Sequence, residues 1–288
     1  MQDFRLGLSI CNRPLTEESF DEYAKAQIKC IELSGANETI ENLDWKSVEL
    51  RSKEFGIELW SLHLPFLPFE ILDPASQNKD KRTYTLNYFS EFVKKAGDIG
   101  IKTIVVHPSA EPIQENDREE SLKCSADTLA KLADIADDFG GQIAVENLPR
   151  TCLGRDSYDI LKILSFDDRL RACFDTNHLL KEDIIEFIHK VGNKLITTHV
   201  SDFDFKNERH WLPGEGSVDW ISLIDALRKI DYSGPWLYEL GYNAPDTINR
   251  RDLTAEDFKY NYDMLMNGKV PQPLGFPIKE KCTHWLGL

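Results

Sequence analysis

The chain has 288 residues, 41% of them hydrophobic, and a formal net charge of −15 at pH 7. That length suits two domains or a single α/β barrel, which needs about 250 residues. The negative charge argues against long-range attraction to phosphate backbones, which rests on clustered Lys and Arg, so no nucleic-acid partner is expected. No apolar run approaches the roughly 20 residues of a membrane span. Residues 1–6 show no basic stretch leading into an apolar one, so neither a membrane nor a signal peptide is expected. The six cysteines form no CxxC pair, which reads as reduced thiols of a cytoplasmic protein.

Short β-branched runs alternate with longer amphipathic stretches along the whole chain. The run at 4–10 is followed by a helix over 16–28, with Phe20, Tyr23, Ala24 and Ile28 on one face. Runs at 30–33 and 57–63 flank a helix over 44–55, and a helix over 79–99 leads to a run at 103–107. A helix over 117–139 precedes the run at 142–146, and one near 156–164 precedes the run at 171–175. A helix near 181–191 leads to the run at 195–199, one near 219–230 to the run at 235–239, and a last helix spans 254–266. Continuous apolar runs suit parallel strands buried on both faces. Eight such strand–helix pairs predict one domain, residues 1–288, folded as a closed (β/α)₈ barrel with an irregular Pro-rich tail from about 268 to 288. An open doubly wound sheet is the competing arrangement, but the first turn, Cys11-Asn12-Arg13-Pro14, lacks its Gly-rich phosphate loop. The tail either wraps the barrel or forms an interface between copies of the chain.

What ends each run carries the chemical signal. Strands three to eight end at His63, His107, Glu146, Asp175, His199 and Glu239. In a barrel all these ends converge on one mouth, where active sites form. Three carboxylates crowded there repel one another unless a cation lies between them. Glu146, Asp175, His199 and Glu239 therefore form a candidate site for one divalent metal ion, Mn²⁺ ahead of Mg²⁺, Co²⁺ or Zn²⁺, since an oxygen-rich set suits the harder cations. His178, Arg209 and His210 stand on the loops after strands six and seven and join His63 and His107 as candidate substrate-binding residues. Glu32, one residue short of the end of strand two, is expected to orient a mouth histidine or meet a substrate hydroxyl. Asp202 reads either as a site residue or as a cap or salt bridge of its loop. Arg150 would bind an anion or face water, and Phe66, Trp211 and Tyr242 would pack on the apolar face of a ligand or simply fill space.

Taken together, Ile31-Glu32-Leu33, Leu62-His63-Leu64-Pro65, Val106-His107-Pro108, Val145-Glu146-Asn147, Asp175-Thr176-Asn177-His178, His199-Val200-Ser201-Asp202, Leu212-Pro213-Gly214-Glu215-Gly216 and Glu239 resemble the xylose-isomerase-like TIM barrels, in particular the sugar phosphate isomerase/epimerase group. The resemblance runs from strand two to strand eight. It implies that Glu146, Asp175, His199 and Glu239 hold a metal. It also implies that Glu146 and Glu239 exchange a proton with a carbon next to a carbonyl, and that His178 contacts substrate oxygens. An arginine of the loop after strand seven, here nearest Arg209, would join them. The implied substrate is a small sugar, sugar phosphate or polyol ketone. Inosose dehydratases share much of this pattern. So do apurinic/apyrimidinic endonucleases of the endonuclease IV type, whose three-zinc set matches His63, His107, Glu146, Asp175, His178, His199, His210 and Glu239. This chain departs from that set at Glu208, where those enzymes carry Asp, and it lacks an obvious basic DNA-penetrating loop. A barrel that binds sugar without turning it over is a further reading.

Overall fold

The computed structural model describes residues 4–278. Eight parallel strands form a nearly closed barrel: β1 (Leu6–Ser9), β2 (Cys30–Leu33), β3 (Glu58–His63), β4 (Thr103–Val106), β5 (Gln142–Glu146), β6 (Arg171–Asp175), β7 (Leu195–His199) and β8 (Trp236–Tyr238). The hydrogen-bonded ladder runs β7-β6-β5-β4-β3-β2-β1-β8. Between β7 and β8 the gap is spanned just past the strand ends: Val200 N–H donates to the Leu237 carbonyl at 2.8 Å, and Glu239 N–H donates to the Val200 carbonyl at 3.1 Å.

Helices α1 (Glu17–Lys25), α2 (Asn37–Glu41), α3 (Trp45–Phe55), α4 (Lys79–Asp98), α5 (Arg118–Asp137), α6 (Ser157–Leu164), α7 (Ile184–Val191), α8 (Trp220–Lys229) and α9 (Ala255–Met266) lie along the chain between and after the strands. Most begin where a short polar side chain takes up free helix N–H groups, as Thr16, Asp44, Asn78, Asp156, Asp183 and Asp219 do. Their apolar faces pack on the outward strand residues, so the main core, with Phe20, Phe89, Phe174, Phe187 and Trp220, is a shell between strands and helices. A second, smaller cluster of Val105, Ala144 and Cys173 fills the barrel itself.

Three strand ends fall one residue short of the sequence expectation, with β1 stopping at Ser9 instead of Ile10. His107 and Glu239 stand one residue beyond β4 and β8. At His107 the next residue is Pro108, which has no N–H to continue the ladder. The tail is described as far as residue 278. Its Phe276–Pro277 strand (β10) pairs antiparallel with Ile248–Asn249 (β9), so the described part lies back against the barrel mouth. The last ten residues of the expected tail, with Cys282 and His284, lie outside the described residues. No helix among the described residues is long and apolar enough to cross a membrane.

Candidate metal centre

The two-residue period of a strand decides which side chains enter the barrel. Glu146 shares the inward face of β5 with Ala144, and Asp175 shares that of β6 with Cys173; both Ala144 and Cys173 belong to the interior cluster. Register carries the row around the wall: Ser9 pairs with Glu32, Glu32 with Ser61, Glu146 with Cys173, and Asp175 with His199. The small or apolar layer below closes the barrel floor and leaves the polar layer at the mouth.

Glu146 is at the centre of this layer. Its Oε2 lies 3.0 Å from His63 Nε2 and 3.3 Å from His107 Nε2, and its Oε1 lies 3.1 Å from His199 Nδ1. His199 Nδ1 is also 3.1 Å from Glu239 Oε2. On its other side, His199 Nε2 meets Glu32 Oε2 at 3.1 Å, and Ser9 and Ser61 donate hydroxyl protons to the same carboxylate. With Glu32 accepting the Nε2–H, Nδ1 faces two carboxylates, an arrangement that suits a cation at that point. His63 is similar: its Nδ1 is 2.9 Å from the Leu64 carbonyl, so its Nε2 faces Glu146.

The electrostatics of the bare site show the same demand. Burial pushes the Asp175 carboxyl up, and the charges of Glu239 and Glu146 push it further, well above the usual range. Burial would raise Glu146 and Glu239 too, but His199 in both cases, with His107 and His63 at Glu146, holds them below it. Burial alone would lower His63 and His199. Glu146 raises His63 to about 9, and Cys173 with Glu239, Glu32 and Glu146 raises His199 well above its ordinary value. Protons on His63 and His199, or a bound cation, would balance these carboxylates. Asp175 Oδ2 is sealed from solvent, makes no hydrogen bond and lies 3.4 Å from His178 Nδ1. Ligand atoms of Glu146, Asp175, His199 and Glu239 all lie within 4.8 Å of one another. Three carboxylates and an imidazole gathered around one buried point fit a divalent cation.

A second group forms beside the first. His178, Glu208 and His210 also bring potential ligand atoms within 4.8 Å of one another. His178 Nδ1 is 2.9 Å from the Asn147 carbonyl, which fixes its ring. Asn177 Oδ1 accepts from the backbone N–H of Arg209 at 2.8 Å and of His210 at 3.3 Å, pinning the loop after β7 to the loop after β6. Arg209 itself is bonded to Asp204 at 2.9 Å and lies near the Trp211 ring, outside the cavity lining. The cation at the rim is Arg150, bound to Glu111 and Glu208. Asp202 is a scaffold: it accepts from the N–H groups of Gly214 and Val218 and from the Trp220 indole.

Of the three aromatic residues, Phe66 stacks on His107 with ring centroids 4.2 Å apart. Trp211 is buried and donates to Thr247, and Tyr242 faces Arg13 and Phe258. Sequence reasoning left the role of Glu32 open and treated Glu208 as a departure. The alternation of β2 was the signal available for Glu32. Nothing local in the sequence marks Glu208 as a neighbour of His178. A cavity of about 890 Å³ opens above the polar layer, and His63, His107, Glu146, His178, His210 and Glu239 reach it.

Residues 20–263 match the family described as xylose isomerase-like TIM barrel. Inosose isomerase of Bacillus velezensis is 26% identical over 210 residues, 65% of this chain and 73% of that protein. A probable endonuclease 4 of Acholeplasma laidlawii is 27% identical over 217 residues, 67% of this chain and 70% of that protein. Among solved structures, a D-tagatose 3-epimerase-like protein superposes with a TM-score of 0.76 at 23% identity, covering 92% of this chain and 96% of that one.

Proposed function

The chain belongs to the xylose isomerase-like TIM barrel family, and from that premise we propose that it is a divalent-metal-dependent isomerase or epimerase of a sugar or related polyol ketone. One observation carries the reading. Glu146 and Glu239 both reach the cavity, and both lie 3.1 Å from His199 Nδ1, from strand ends separated around the barrel by β6 and β7. Two carboxylates that converge on one point from different directions suit the removal of a proton from one face of a carbon and its delivery to the other. The inosose isomerase relative also bears on a polyhydroxylated ketone by its name.

Glu146, Asp175, His199 and Glu239 would hold the cation, Mn²⁺ first with Mg²⁺, Co²⁺ and Zn²⁺ as alternatives. Held there, the cation would supply positive charge next to a developing enediolate. One of Glu146 and Glu239 takes the proton next to the carbonyl, and the other returns one. Return to the same carbon gives epimerisation, return to its neighbour gives isomerisation, and loss of a β-hydroxyl gives dehydration as in an inosose dehydratase. His63, His107, His178 and His210 orient substrate hydroxyls. Arg209, turned to Asp204, holds the loop that carries His210. A metal-supplemented screen of ketoses, keto-inositols and their phosphates, read by deuterium uptake from solvent, tests the proposal. Uptake into a carbon next to the carbonyl is expected, and its absence across the whole panel would overturn the assignment.

The His178–Glu208–His210 group and the endonuclease relative favour a second reading, a multi-zinc phosphodiesterase. It requires more than one bound metal per chain and cleavage of an abasic oligonucleotide. The net charge of −15 opposes it.

A further inference from the structure

The cavity is larger than a single sugar ring requires, and its outer half has a different chemistry from its floor. Its volume of about 890 Å³ lies toward the upper end of the ~300–1,000 Å³ range of pockets that enclose drug-sized ligands. A monosaccharide seated on Glu146 and Glu239 would leave the outer half to water.

That outer half is apolar on its walls. Phe66, Leu67, Pro68 and Phe69, from the loop after β3, form one wall; Leu148 and Pro149, from the loop after β5, form another. Phe66 is fixed against His107, and Phe69 follows it with ring centroids 6.3 Å apart. Leu67 is 47% exposed at the rim. Leu148 and Pro149 are themselves buried, whereas Leu67 and Pro68 are exposed and keep apolar surface in water unless a ligand covers it.

Charge excludes one kind of extension. Among the residues lining the cavity, Arg150 is the one Lys or Arg side chain. Both ends of its guanidinium are engaged: Nη2 meets Glu111 at 2.8 Å and Nη1 meets Glu208. Glu38 adds another carboxylate to the lining. A phosphate here would meet carboxylates and a cation already neutralised by two of them, at a cost in both repulsion and desolvation.

We propose that the substrate is a ketose or polyol ketone carrying an uncharged, partly apolar substituent remote from its carbonyl, and that phosphate esters are disfavoured. The carbonyl end rests on the metal centre, and the substituent lies along Phe66 and Phe69. This specificity rests on the isomerase reading above, because that reading sets which end of the ligand lies deep.

A matched series tests it: one free ketose, its terminal-carbon benzyl ether and its terminal-carbon phosphate ester, each with Mn²⁺-loaded full-length protein. The readouts are deuterium uptake from solvent and binding by titration calorimetry. The benzyl ether should show kcat/KM about tenfold or more above the free ketose, and the phosphate ester should fall below it. In Phe69→Ala the benzyl-to-free ratio should drop about tenfold. In Glu111→Gln, which releases Arg150 from one carboxylate, the phosphate-to-free ratio should rise severalfold. A phosphate ester that outperforms the free ketose, or a benzyl ether that gains nothing, would overturn the proposal while leaving the isomerase reading intact. If none of the three takes up deuterium, the isomerase reading fails for this series, and calorimetry still decides the specificity. Tightest binding of the benzyl ether supports it, and equal or weaker binding overturns it.

Discussion

Glu32 shows how one buried side chain can set the chemistry of another. It is fully enclosed, bonded to Ser9, Ser61 and His199 Nε2, and does not line the cavity. Its contribution is to fix the tautomer of His199 so that Nδ1 faces Glu146 and Glu239. Loss of such a partner typically weakens metal affinity by about 10–100-fold. Glu32→Gln should therefore raise the Kd for Mn²⁺ by at least about tenfold in titration calorimetry, with the circular dichroism spectrum retained. Unchanged affinity would mean that packing alone orients His199. In the sequence, Glu32 is visible only as a charged residue in an apolar run, one short of its end, and the inward row of β2 explains that position. Glu208 was harder to read. Compared by residue type it replaces an Asp, whereas in the fold its longer side chain still gathers with His178 and His210. That proximity depends on loop geometry that no local pattern encodes.

At the scale of elements, the loop between β5 and α6 ties a cavity wall to the scaffold. Arg118, at the start of α5, meets Asp159 of α6 at 2.8 Å and donates to the carbonyls of Thr151 and Cys152. Asp159 also accepts from Gly154 N–H. Removing Asp159 would strand a buried guanidinium, which typically costs about 3–5 kcal/mol. Asp159→Ala should lower the unfolding free energy by roughly that amount in urea titration, and a loss below about 1 kcal/mol would contradict the role given to this pair. Gly154 is a turn residue at φ +85°, where a Cβ would come within 3.0 Å of the Glu146 carbonyl. Gly154→Ala should accordingly perturb the end of β5 beside the proposed metal site and lower metal affinity, measured in the same calorimetry. Elements of this size were readable from sequence when their pattern was long or uninterrupted. The runs at 30–33, 142–146, 171–175 and 195–199 coincide with β2, β5, β6 and β7. The five-residue α2, with Ile40 as its one buried residue, and the two-residue β9 and β10 carry no periodicity to detect.

For the whole molecule, the barrel brings together at one mouth carboxylates that are far apart in sequence, and folding must bear their repulsion. A cation that binds the folded chain alone would offset it. At a free concentration of about 100 times Kd, linkage adds about 2.7 kcal/mol, which for a domain of this size is a rise of roughly 5–10 °C in Tm. A chelated sample should melt lower by that margin, and coincident melting curves with and without Mn²⁺ would count against the centre. The fold class was legible because eight strand–helix alternations leave few architectures open. The polar layer was legible because strand ends share one mouth. The cavity's apolar shelf was not, since it is built from loops whose path is set by tertiary contacts. Proton movement by Glu146 and Glu239 at a shared metal site is the proposal on which the other assignments depend. Its most direct test is deuterium uptake from solvent into a ketose turned over by Mn²⁺-loaded protein, compared with Glu146→Gln and Glu239→Gln. Exchange is expected in the wild-type chain, with a loss of at least about 100-fold in each folded, metal-containing variant. Wild-type exchange rates in both variants would contradict it.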